Sequence, residues 1–135
     1  VEYKVLDADK KTVSAAKCKN TKAGSITIPN TVKINSADYK IIQIDAKAFN
    51  GCKKLKQITI GANVSSIGKQ AFNGCKKLSK VTLKGTALKN IKTGAFKKTS
   101  TKMTVKTPKK MKKTLRNALL KKMKKAGMSK KAKIK

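Results

Sequence analysis

The side chains best suited to nucleophilic or soft-metal chemistry in this sequence are three cysteines, Cys18, Cys52 and Cys75. Cys52 and Cys75 occupy the same place in a phrase, AFNGCKKL, that is written twice, 23 residues apart. A thiolate nucleophile needs a base beside it, and the chain has no histidine. A zinc site needs Cys and His ligands at short spacing, and no CxxC occurs. Three cysteines so spaced are not a disulfide framework. If the two phrases stack as neighbours, Cys52 and Cys75 lie about 5 Å apart, one strand spacing, which a bridge could span. The simpler alternative is a pair of buried thiols acting as small hydrophobes, and it is favoured.

Carboxylates offer no more. Glu2, Asp7, Asp9, Asp38 and Asp45 are the only acids, all near the N-terminus, so no pair for general acid–base work can be placed. Neither G-x-x-x-x-G-K nor G-x-S-x-G is present. The expectation is a protein that is not an enzyme and carries no cofactor and no metal. Charge is the outlier: 36 Lys+Arg against 5 Asp+Glu give +31, and Arg116 is the single Arg. Residues 46–135 hold 28 bases and no acid. Such a surface attracts polyanions: nucleic acid, wall polymers, sulfated glycans or anionic lipid. Readers of nucleic-acid sequence use Arg forks and aromatics. Aromatics are only 4% of this chain, so no sequence-specific nucleic-acid partner is expected.

The elements that position these residues follow from repetition. Phe49, Phe72 and Phe96 are spaced by 23 and 24 residues, and Ile44, Ile67 and Ile91 keep the same intervals. Within each unit the spacing is L-x-x-L-x-L-like, as Leu55-x-x-Ile58-x-Ile60 and Leu78-x-x-Val81-x-Leu83. A third, degenerate unit reads as Ser100-x-x-Met103-x-Val105 with two residues lost after Phe96, and a partial one as Ala23-x-x-Ile26-x-Ile28. One coil of this length cannot bury its own apolar face; stacked coils bury each other's. Ile44, Ala48, Phe49, Cys52, Leu55, Ile58, Ile60 and Val64 should therefore point inward. So should Ile67, Ala71, Phe72, Cys75, Leu78, Val81 and Leu83. AFNGCKKL reads as about one helical turn, ended by Gly51 or Gly74 or given a positive φ there. The extra length between Ile28 and Ile60 reads as a hairpin around Asn35-Ser36-Ala37-Asp38.

The pattern I-x-x-x-A-F-x-G-C-x-x-L-x-x-I-x-I resembles the bacterial surface-antigen leucine-rich repeat, the BspA-like or Treponema type, over roughly residues 24–107. The resemblance implies an extracellular or surface protein whose repeats bind or adhere. Lys98-Thr99 where Gly-Cys would stand suggests a closing coil. The fold class expected is α/β: a short, right-handed leucine-rich-repeat solenoid, dominated by strand and loop, with a β-hairpin cap before it and a helical cap after it.

The boundaries expected are 1–22 for the β cap, 23–107 for about three and a half coils, and 108–135 for a helix and a last short strand through Ile134. Thr107-Pro108 reads as N-cap and N1 of that helix. Met111, Leu115, Ala118, Leu119, Met123 and Ala126 share its apolar face, and Gly127 is a natural C′ residue. The helix is basic and amphipathic but lacks an aromatic anchor, so a cap is favoured over a membrane-surface helix. No apolar run reaches the roughly 18 residues of a membrane span. The opening VEYKVLDAD reads as strand without a signal-peptide pattern, as in a mature chain or a piece of a longer one.

Between the inward strand positions stand Thr27, Thr59, Thr82 and Thr104, and beside them Ser25, Gln57, Lys80 and Lys102. In such repeats these positions line the open strand face. Thr27, Gln57, Thr59, Lys80, Thr82, Lys102 and Thr104 are the candidate partner-binding strip, although Thr is also an ordinary exposed strand residue. The partner expected is a protein or an anionic glycan or wall polymer, met by a secreted or cell-surface module. A nonspecific polyanion anchor using the whole lysine surface, or a structural spacer of a larger surface protein, are the alternatives.

Overall fold

Each writing of the repeated phrase makes one turn of a coil, and the coils stack strand on strand. A computed structural model describes residues 1–135, as eleven strands and one helix. One sheet is built from β1 (Glu2–Asp7), β2 (Thr12–Lys17), β5 (Ala37–Ile44), β7 (Ser66–Ile67) and β9 (Asn90–Ile91), in that order, with β4 (Thr31–Ile34) paired to β5. The other is fully parallel: β3 (Ser25–Ile28), β6 (Gln57–Ile60), β8 (Lys80–Leu83), β10 (Thr104–Lys106) and β11 (Lys133–Ile134). The single helix, α1 (Lys113–Lys125), lies between the last two strands of this second sheet in sequence. The result is the short α/β solenoid that the repeat period dictates.

The core is one aliphatic column threaded by three phenylalanines. All fifteen residues from Ile44 to Leu83 expected to face inward are buried. The rings of Phe49 and Phe72 stack 5.0 Å apart and those of Phe72 and Phe96 5.3 Å apart, each pair within 11° of parallel. The backbone repeats the same rung from coil to coil: Phe49 N–H donates to Ala71 O, Phe72 N–H to Ala95 O, and Phe96 N–H to Ala126 O, at 2.8–3.0 Å. Cys18 N–H donates to Ala48 O in the same way at 2.9 Å, so Cys18 takes the phenylalanine place in the coil before.

The AFNGCKKL segment is not a helical turn. It is a chain of i→i+3 turns, closed by Ala48 N–H to Asp45 O, Asn50 N–H to Lys47 O and Cys52 N–H to Phe49 O. Lys47 (φ 59°) and Gly51 (φ 86°) are both left-handed and leave only three residues between them, too few for an α-turn. The same two places recur as Gln70 and Gly74, then as Gly94 and Lys98.

In the third coil the register differs from the one expected by two residues. Thr104 pairs with Lys80, Val105 with Val81 and Lys106 with Thr82. Nothing is lost after Phe96: the step from phenylalanine to the first inward strand residue is nine in all three coils, Phe49 to Ile58, Phe72 to Val81 and Phe96 to Val105. A slip of two keeps every side chain on its own face, so alternation of apolar and polar residues could not tell the two registers apart. Thr107 consequently fills the inward place of Leu83 and is nearly buried. It is not a helix cap: its N–H and its hydroxyl both donate to Lys135 O, tying down the last strand.

The ends of the stack are closed differently. β1 and β2 form an antiparallel hairpin, and Asp7 Oδ1 accepts the N–H groups of Asp9 and Lys10 at 2.9 Å to make its turn. Glu2 and Lys19 pair across its open end at 2.7 Å. The extra length before Ile60 is the β4–β5 hairpin, turned at left-handed Asn35 and Ser36 (φ 49° and 65°), a type I′ geometry. At the far end, α1 starts at Lys113 with Lys112 as an N-cap that makes no side-chain bond, five residues beyond the Pro108 start expected. Leu119, Met123 and Ala126 are buried as the helical spacing requires; Met111 is buried too, but in the bend before the helix, while Leu115 is 40% exposed and Ala118 is exposed. Only the C-terminal half of the helix lies over the coil, so the first turn has nothing to pack on. That half ends in a Schellman motif, with Met128 N–H to Met123 O and Gly127 N–H to Lys124 O, both 3.1 Å. Gly127 is at φ 102°, and a Cβ there would meet Lys97 Cα at 2.8 Å. No helix is long and apolar enough to cross a membrane.

Candidate functional site

The outward face of the parallel sheet is where side chains of successive coils line up. Parallel pairing without offset sets Ser25, Gln57, Lys80, Thr104 and Lys133 in one row. It sets Thr27, Thr59, Thr82 and Lys106 in the next. Neighbours in a row stand about 4.8 Å apart. The intervening residues Ile28, Ile58, Ile60, Val81, Leu83 and Val105 are buried, so the two rows are the free face of the sheet. Ser25, Thr27, Gln57 and Lys80 are exposed, and Thr59, Thr82 and Thr104 half-buried. Gln57 Nε2 donates to Ser25 Oγ at 3.3 Å, the one side-chain bond linking coils within the strip.

Six of the seven strip residues read from the sequence therefore share one face. Thr104 belongs with Lys80 and Gln57 rather than with the other threonines. Lys102 is exposed in the bend before β10, outside the strand register. Lys106 and Lys133 complete the rows and make their C-terminal end basic. The constant nine-residue step after each phenylalanine is the sequence signal for Lys106; Lys133 follows only from β11 adding to the sheet.

The thiols stand apart from this face. Cys18, Cys52 and Cys75 are free and buried. Burial pushes the Cys52 thiol up to about 12, with Cys18 beside it adding to the shift. Burial likewise pushes Cys75 up to about 12, and its Sγ donates to Phe49 O at 3.1 Å. Thiols held neutral in this way are poor nucleophiles; here they fill the core beneath the turn and satisfy a carbonyl. No group of three or more His, Cys, Asp or Glu side chains converges as a metal site would need.

Comparison with known proteins follows the geometry. A family model described as a BspA type leucine rich repeat region (6 copies) matches residues 11–125. No curated protein matches the chain. Among solved structures, the chain is similar to the leucine rich repeat protein of T. pallidum: TM-score 0.64, 24% identity, over 77% of this chain and 45% of that one. It is similar to a leucine rich cell surface protein from Faecalibacterium prausnitzii: TM-score 0.64, 28% identity, over 76% of this chain and 27% of that one. A leucine-rich repeat protein from Bacteroides ovatus matches with TM-score 0.56 and 23% identity, over 78% of this chain and 35% of that one. The chain thus spans less than half the length of each of these structures.

Proposed function

The chain belongs to the BspA-type leucine-rich-repeat family, and from that membership we propose that it is a non-enzymatic binding module of the bacterial surface or of the secreted complement. It docks a protein or an anionic polymer on the outward face of the parallel sheet. The observation that carries the reading is the unbroken pair of polar rows, in register over the coils, from Ser25 and Thr27 to Lys133 and Lys106. A flat, repeated, polar face with regular spacing suits many modest contacts at once. The surface location is supported by the description of the Faecalibacterium relative as a cell surface protein. The hairpin over residues 1–22 and the segment 108–135 act as caps on a solenoid over 23–107.

A second reading rests on the charge itself: 28 bases and no acid in residues 46–135 would hold a polyanion anywhere on the surface. Binding to wall polymer, sulfated glycan, mucin and host matrix proteins at low and high salt separates the two. With Lys80→Glu/Lys106→Glu, a partner docked on the strip loses at least tenfold in affinity, and wild-type binding survives high salt. Unchanged affinity in that variant ends the strip reading. Binding to every polyanion, lost steeply with salt, leaves charge alone as the function.

A further inference from the structure

The lysines are not spread evenly over the molecule. Where α1 meets the loop leading into β9, the chain leaves an open cleft of about 690 Å³ lined by Lys69, Lys89, Lys92, Lys122 and Lys125. Two smaller hollows adjoin it, of about 230 and 370 Å³, and share its residues: Lys69 and Lys92 with one, Lys69 and Thr93 with the other. Together they make a trough that runs from the Ala46–Lys47 turn of one coil past Lys69 and Lys92 of the next two to the helix. The one carboxylate near the trough is that of Asp45, which accepts from Gln43 Nε2 at 2.8 Å and from Ser14 Oγ at 2.9 Å and is not itself part of the lining. The trough belongs to the first sheet and the helix, and shares no residue with the strip on the second sheet.

One wall is fixed. Lys122 Nζ donates to Lys89 O at 2.9 Å, pinning the helix to the loop that leads into β9. Phe96 N–H donates to Ala126 O at 3.0 Å and holds the helix end. Folding therefore brings like charges from two coils and a helix around one hollow, at a repulsive cost in the free protein. An anion in the hollow removes that repulsion and gains several attractive terms at once. The size is that of a small-molecule site, with room for a sugar unit and its anionic substituent, and the adjoining hollows take the units before it.

The lining also limits the partner. It holds no Arg and no aromatic side chain, so nucleic-acid bases have nothing to stack on. Ile91 and Ala126 are its only apolar residues in the main cleft, too little for the buried anchors of a protein interface. We infer that this trough is an anion-binding site for a linear polysaccharide bearing sulfate or phosphate esters, whose successive charged groups are held by Lys69, Lys92 and Lys125. It goes beyond the strip on the other sheet and stands or falls separately from it.

The test uses the full chain and two variants of equal net charge: Lys69→Gln/Lys92→Gln/Lys125→Gln in the trough, and Lys53→Gln/Lys76→Gln/Lys77→Gln on the exposed turns. The probes are heparin for sulfate esters, a phosphorylated dextran for phosphate esters, and a 20-nucleotide single-stranded DNA. At 150 mM salt the trough variant loses at least tenfold in affinity for one of the polysaccharides and its salt slope falls by about two, whereas the turn variant changes less than threefold. Which polymer loses more identifies the ester. Because Lys125 lies in the last turn of the helix, Lys69→Gln/Lys92→Gln serves as a second variant that leaves the helix untouched, with the same direction of effect. Equal losses in the trough and turn variants overturn the proposal, as does unchanged binding in the trough variant. Tighter, trough-dependent binding of the DNA overturns the polysaccharide assignment. Loss only in Lys80→Glu/Lys106→Glu upholds the strip and overturns the trough.

Discussion

Phe49 and Phe72 stack ring upon ring across two coils, 5.0 Å between centroids and 9° from parallel. Both are fully buried. They are the same letter of the same phrase, so the ring stack is the repeat period expressed as contact. Each coil leans on its neighbour through it.

The stack makes adjacent coils energetically dependent. Phe72→Leu and Phe49→Leu each destabilise the protein, and the double variant costs less than the two together. A double-mutant cycle in urea gives a coupling of about 0.5–1.5 kcal/mol, the size of an aromatic pair beyond its buried area. Phe49→Leu with Phe96→Leu, which do not share a contact, gives a coupling near zero.

Lys98 occupies the left-handed place (φ 59°) that Gly51 and Gly74 hold in the other coils. A side chain there costs about 1 kcal/mol relative to glycine, even after the greater freedom of glycine in the unfolded chain is counted. Lys98→Gly therefore raises stability by up to about 1 kcal/mol, read as a later urea midpoint at unchanged slope. Gly74→Ala does the opposite. A variant Lys98→Gly less stable than wild type would mean that Lys98 makes a contact worth more than its strain.

The buried thiols tie stability to alkaline pH. Cys52 and Cys75 move from an ordinary value of 9.0 to about 12 in the folded protein. The unfolded chain therefore loses these protons first. The stabilisation is complete below pH 9 and falls away as pH rises toward 12. Comparing wild type with Cys52→Ala/Cys75→Ala isolates the thiols from every other group the two proteins share. The difference in thermal midpoint between them shrinks steadily from pH 8 to pH 11. A constant difference would show that the thiols are not held neutral.

Much of the fold was readable because a repeat reports its own geometry. Once Phe49, Phe72 and Phe96 are aligned, every inward residue of the two full coils follows, and each is buried. The misreadings lie where the repeat loosens. Val105 fits two registers because a slip of two preserves the face, and only the pairing of Thr104 with Lys80 takes Thr104 out of the threonine row. Thr107-Pro108 looked like a helix start because capping residues and buried strand-end residues can be the same types; here Thr107 binds the last strand instead. Leu115 and Ala118 follow the helical period but face solvent, since periodicity says which side of a helix is apolar and not how much of it meets a neighbour. The lysine trough was not readable at all. It joins Lys69 and Lys92 from two coils with Lys125 from the helix, and only the docking of α1 beside the loop into β9 brings them together.

The stacking of the coils also has a mechanical meaning. β1 lies at one end of the stack and β11 at the other, so the two chain ends leave from opposite poles. Tension applied between them bears first on the outermost coils and then on the next, one rung at a time. The protein would lengthen in steps rather than snap, each freed coil of 23 residues adding roughly 75–80 Å of slack. Coils still stacked would stay paired while the outermost ones give way.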